Sequence, residues 1–145
     1  RQLFAQKVNG FLEQAAAQAL LTSTMQKVTF NTAKKELTVT AEQRKDKKKE
    51  EQLIQPTARL AWSEHLDVEQ FFIQGVDEFA AKNSGKNTDE VWFYIVPDGM
   101  AQEVIINGRD TTDIRQSGDQ AQWSLVLNPF TLRCTLYEEF QSPSW

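Results

Sequence analysis

The sequence predicts an α+β domain in which a long N-terminal amphipathic α-helix packs on antiparallel β-sheet built of hairpins. Three observations predict it. Apolar residues recur at three- and four-residue steps from Leu3 to Leu20. After Met25 the apolar period falls to two. Short β-branched and aromatic runs come next, separated by turn signals at Pro97-Asp98-Gly99, Asn107-Gly108 and Asn128-Pro129. A chain of 145 residues fits one domain over 1–145, with a helix over 1–23 and a β-rich head over 26–140. At that length folding buries about 68–70% of the unfolded surface, enough for a core without staples.

Leu3, Phe4, Val8, Phe11, Leu12, Ala15, Ala16, Ala19 and Leu20 trace one helical face, which predicts a helix from Gln2 to Thr22. Gly10 weakens it by roughly 1 kcal/mol relative to Ala. The alanines at 15, 16, 17 and 19 let a sheet approach closely. No Ser, Thr, Asp or Asn precedes the pattern as a cap. The helix therefore reads as the continuation of an upstream segment absent from this chain, or as an ordinary first helix after a trimmed tail. Thr22-Ser23-Thr24 ends it.

Val28 and Phe30 alternate with polar residues, Asn31 to Glu36 turn, and Leu37 and Val39 resume the alternation, so a half-buried hairpin is expected. Arg44 to Glu51 carries five basic and three acidic residues and reads as a solvated loop or exposed helical turn. Leu66 to Ile73 reads as a strand, and the pair Phe71-Phe72 predicts burial on both faces or a bulge. Asp77 to Lys82 suits a short helical turn, and Asn83 to Asp89 a loop. Val91 to Val96 is the strongest strand. Pro97-Asp98-Gly99 turns it, and Val104 to Ile106 is expected to return beside it as a second hairpin. Asn107-Gly108 reads as the next turn. Trp123 to Leu127 and Leu132 to Tyr137 form a last pair around Asn128-Pro129, and the tail from Gln141 is expected to fray. The helix should lie on one face of the twisted sheet that results.

Little here suggests chemistry. A net charge of −4 argues against a broad basic face for nucleic acid. The lone Cys134 forms no intramolecular disulfide and reads as a buried, inert thiol. His65 has Ser63 and Asp67 close by in sequence, but adjacency along a strand does not make a nucleophile, a base and an orienting acid converge. One Cys and one His cannot build a thiolate–imidazole zinc site. Asp98, Glu103, Asp110 and Asp113 could gather at one end of the second hairpin, yet Asp110-Thr-Thr-Asp113 fits no calcium loop. Asn83-Ser84-Gly85-Lys86 is too short for a phosphate loop. No catalytic residue, cofactor or metal ligand is assigned, and neither an enzymatic activity nor a small-molecule substrate is expected.

The order of these elements resembles the minor pseudopilins of the H class in type II secretion and the related type IV minor pilins. The resemblance rests on Val91-Trp-Phe-Tyr-Ile-Val96, the turn at Asp98-Gly99, the return Glu103-Val-Ile-Ile106, and the later pair Trp123 to Pro129 with Arg133 to Leu136. The alanine-rich Leu12 to Leu21 is similar to the second half of a pilin helix. The family's cleavage site and its apolar anchor are not in this chain, Leu132 stands where members often have Gly, and the charged run at 44–51 is long for the family.

This resemblance implies a non-catalytic structural subunit of a pseudopilus or pilus-like fibre. Its partners would be other pseudopilin subunits, and the membrane through an N-terminal helix missing here. It would sit in the inner membrane with the head in the periplasm of a Gram-negative bacterium. Phe4, Val8, Phe11 and Leu12 are expected at the fibre core, and Asp98, Gly99 and the loop 107–118 against other heads. The alternatives are a soluble ligand- or protein-binding α+β domain with an apolar pocket between sheet and helix, a DNA-uptake minor pilin, or a small enzyme.

Overall fold

The computed structural model describes residues 1–42, 57–81 and 89–143. It is α+β, with an N-terminal helix and two antiparallel sheets. The charged run at 44–51 and the Asn83-Ser84-Gly85-Lys86 segment lie outside the described residues.

Helix α1 (Gln2–Thr22) buries Phe4, Ala5, Val8, Phe11, Leu12, Ala15 and Ala19. Leu3 and Leu20, which the period places on the same stripe, are 61% and 66% exposed. Their neighbours Phe4 and Ala19 are buried, so the covered stripe is narrower than the period implies. Ser23 takes left-handed geometry (φ 49°) and closes the helix, with its own N–H reaching the Leu20 carbonyl and the Thr24 N–H the Ala19 carbonyl.

The four-stranded sheet runs β3 (Ala58–Ala61), β2 (Glu36–Ala41), β1 (Gln26–Asn31), β6 (Glu90–Ile95). The expected first hairpin is β1–β2, with Val28, Phe30, Leu37 and Val39 facing inward. The five-stranded sheet runs β5 (Val76–Asp77), β4 (Leu66–Ile73), β7 (Val104–Ile114), β8 (Gln120–Leu127), β9 (Cys134–Tyr137). A short helix α2 (Glu78–Ala81) comes after β5. The register of β4 shifts between Val68 and Gln70, so the bulge falls just ahead of Phe71-Phe72 and turns Phe71 inward.

The helix is not laid on one face of a single sheet, as expected; it reaches strands of both sheets. Phe4 contacts Trp62 and Trp123 (centroids 5.7 Å each), and Phe30 of β1 meets Phe71 of β4 edge-on at 5.0 Å. Such pairs contribute about 0.5–1.5 kcal/mol each beyond area burial. They join helix and sheets into one core.

The second hairpin does not form. β6 pairs with β1 along its whole length, and a single bridge, Ile95 to Ala101, links it to the chain beyond the turn. The turn at Pro97-Asp98-Gly99 is present, with Gly99 at φ 88°, but it hands the chain to the other sheet. The reason lies in Val104-Ile105-Ile106, which is buried on both faces. A run of that kind needs a central position, and β7 finds it between β4 and β8.

Asn107-Gly108 is likewise not a turn but mid-strand in β7. Gly108 sits between Val68 and Trp123, and an added Cβ would overlap the Asp67 carbonyl and the Trp123 ring. Residues 107–114 are therefore strand, and the loop is confined to the turn before β8. Nor does the tail fray at Gln141: its N–H and carbonyl are both bonded to the Asn107 side chain.

Candidate assembly surface

Of the residues expected at a fibre core, Phe4, Val8, Phe11 and Leu12 are 7%, 1%, 9% and 1% exposed. Their surface is covered by the chain's own sheets and offers no contact area to a neighbour. The large apolar residues of the helix that do face outward are Leu3, Leu20 and Leu21.

Asp98 is exposed and Gly99 half-buried. The turn is built locally: Val96 and Met100 bond across it, Gly99 donates to the Val96 carbonyl, and Asp98 Oδ1 accepts the Met100 N–H at 3.1 Å. Tertiary structure then seats this turn against the helix. Gly99, Thr131, Leu132 and Arg133 line a groove of about 220 Å³ with Asn9, Glu13 and Ala16. The Ala101 N–H donates to the Pro129 carbonyl, so the turns before β7 and after β8 are tied together. Exposed Met100 (41%) and Phe130 (76%) stand on these linked turns. Gln26 pairs with both Ala41 and Ile95, which brings the helix exit and Met25 to the same end of the molecule. Sequence reasoning missed this apolar end because its members are scattered from Leu20 to Phe130.

The four carboxylates do not gather. Asp98 and Glu103 lie at the end just described, and Asp110 and Asp113 near the far end of β7. There Arg1 Nη1 bonds Asp110 (3.2 Å) and Asp113 (2.7 Å), with Glu138 3.8 Å from Nη2. The Asp113 hydrogen bond raises the Arg1 pKa further, against the opposing effect of burial. At Asp110 burial disfavours the charge, but the Thr112 hydroxyl and N–H and the Arg1 guanidinium outweigh it and lower the pKa.

Ser63, His65 and Asp67 do not assemble as a triad. Ser63 Oγ accepts the His65 backbone N–H, and Asp67 pairs with Lys35 at 2.5 Å. Burial pushes the Cys134 thiol pKa up to about 12, which disfavours the thiolate, although the residue as a whole is half-buried rather than buried as expected. The Cys134 backbone is held by Asn9, whose side chain accepts its N–H at 2.6 Å and donates to its carbonyl at 3.1 Å. Among the described residues no group of His, Cys, Asp and Glu is arranged to hold a metal ion, and no helix is long and apolar enough to cross a membrane. No protein-family model, curated protein or solved structure matches the chain.

Proposed function

We propose that this chain is the head of a pilin-like assembly subunit, of the kind that builds the pseudopilus of type II secretion, and that its role is structural. One observation carries the reading: Phe4, Trp62, Trp123, Phe30 and Phe71 fill the centre of the space between α1 and the two sheets, and a groove of about 340 Å³ remains at its Arg1 end, beside Leu3, Lys7 and Ala61. A filled helix–sheet seam suits a rigid head on a helical stalk. A binding module of the lipocalin or cystatin type needs an apolar cavity at that place.

In this reading a membrane anchor precedes α1, the head stands in the periplasm, and other subunits of the fibre are the partners. The turn at Asp98-Gly99, with Met100 and Phe130 beside it, faces a neighbouring head. The buried helix residues Phe4, Val8, Phe11 and Leu12 act by fixing the stalk to the head.

The test is the coding sequence upstream of Arg1. The expected result is a short basic leader, a Gly followed by an aromatic residue and an acid, and about 20 apolar residues in one helix. A start codon close to Arg1, or a cleavable signal peptide, overturns the reading.

A further inference from the structure

The outer face of the five-stranded sheet carries a polar seam that the chain's own tail fills. After β9 the chain turns back over β7 and β8, held there by side chains that read main chain. Asn107, fully buried, donates to the Gln141 carbonyl (2.9 Å) and accepts the Gln141 N–H (3.1 Å). It also donates to Gln70 Oε1 at 2.9 Å. Gln122 Oε1 accepts the Phe140 N–H (3.2 Å), and Arg115 donates to the Glu138 carbonyl (2.8 Å).

The Phe140 ring lies under the Arg109 guanidinium at 5.3 Å, and Glu69 fixes that guanidinium at 2.9 Å. Ser124, opposite Asn107 in register, is fully buried, and its Oγ has no partner among the described residues. An open recess of about 460 Å³ continues beside the tail, lined by Arg109, Arg115, Gln122 and Phe140 among others.

None of the hydrogen bonds that hold Glu138, Phe140 and Gln141 here belongs to a β-ladder. Asn107 offers the donor and acceptor that a neighbouring strand would offer, so the seam reads the main chain of the segment laid over it. Its side-chain preference comes from the aromatic ring under Arg109. We propose that this seam is a docking groove for a segment read through its main chain and bearing an aromatic residue, and that its occupant in trans is residues 138–143 of a second copy. The resident tail is then an intramolecular competitor. A short tether holds it at an effective concentration in the mM range, so exchange needs copies held close together or a weakened tail. The inference is independent of the pseudopilin reading.

The experiment titrates a labelled, capped Glu-Glu-Phe-Gln-Ser-Pro peptide into full-length chains and tracks anisotropy, with hydrogen exchange reporting the tail. Phe140→Ala weakens the competitor and leaves Asn107, Arg109, Arg115 and Gln122 in place, so this chain should bind the peptide at least about tenfold more tightly than the wild type. Exchange at 138–143 should rise while β7 stays protected. Gln141→Pro, which removes the N–H that Asn107 reads, should act in the same direction and serves if Phe140→Ala does not fold. A peptide with Ala in place of Phe should bind neither. Folded variants that bind no more tightly than the wild type, or that bind the Ala peptide equally well, overturn the proposal.

Discussion

At position 108 the close pairing of β4, β7 and β8 leaves no room for a side chain. Gly108 lies opposite both Val68 and Trp123, and the indole occupies the volume a Cβ would need. Gly108→Ala should therefore destabilise the protein by roughly 3 kcal/mol, because neither a backbone carbonyl nor a buried indole can yield cheaply. A fall in the urea midpoint with an unchanged m-value checks this. Two asparagines act differently, each lending a side-chain amide where a peptide group is wanted. Asn9 satisfies Cys134 at the edge of β9, and Asn107 satisfies Gln141 over the sheet. Each therefore satisfies a backbone N–H and a carbonyl, among the groups that are costly to leave unpaired once water is excluded.

Helix α1 ends in a Schellman arrangement with a serine where glycine is usual. A non-glycine residue in left-handed geometry carries a steric cost of about 1 kcal/mol. Ser23→Gly should raise stability by roughly that amount, measurable as a higher urea midpoint; an unchanged or lower midpoint would show that the cap is not strained. The edge of β9 next to the helix is closed by Asn9, which protects Cys134 from pairing with another chain. The opposite feature is β7, long and central, whose first residues are buried on both faces and whose last are exposed. It thereby connects the core to the charged end at Arg1.

For the whole molecule, the two ends differ in character. Leu20, Leu21, Met25, Met100 and Phe130 are exposed at the helix exit, whereas Arg1 with Asp110, Asp113 and Glu138 closes the other end. The ionic end makes stability depend on pH in a definite direction. Asp110 has a lower pKa folded than unfolded, so the unfolded chain binds more protons in acid. Its contribution is present above the unfolded value of about 3.9 and is lost as pH falls through the folded value. Asp110→Asn should lower the melting temperature at pH 7 and flatten its decline below about pH 4. Wild type and variant should converge in strong acid; a constant gap down to about pH 2 would show that the carboxylate does not act through its charge.

The helix over Gln2–Thr22, the β1–β2 hairpin and the strand Leu66–Ile73 were legible in the sequence, since apolar period and local turn chemistry report directly on them. The α+β class comes from their order. Which strand neighbours which was not legible. Val91–Val96 and Val104–Ile106, joined by a good turn, look like a hairpin, yet the one completes the first sheet and the other centres the second. Asn107-Gly108 has the composition of a turn and is strand, because Trp123 needs the missing side chain and Gln141 needs the amide. Turn propensity is a local quantity of about 1 kcal/mol, and burial of a two-faced strand outweighs it. Asp98 and Gly99 were readable as a turn. Phe4, Val8, Phe11 and Leu12 were readable as one apolar stripe, but a stripe does not say what covers it. Local pattern along the chain was enough for the class, the long helix and most strands. Sheet order, the covering of the helix and the seat of the tail were settled in three dimensions, because they depend on contacts between residues far apart in the chain.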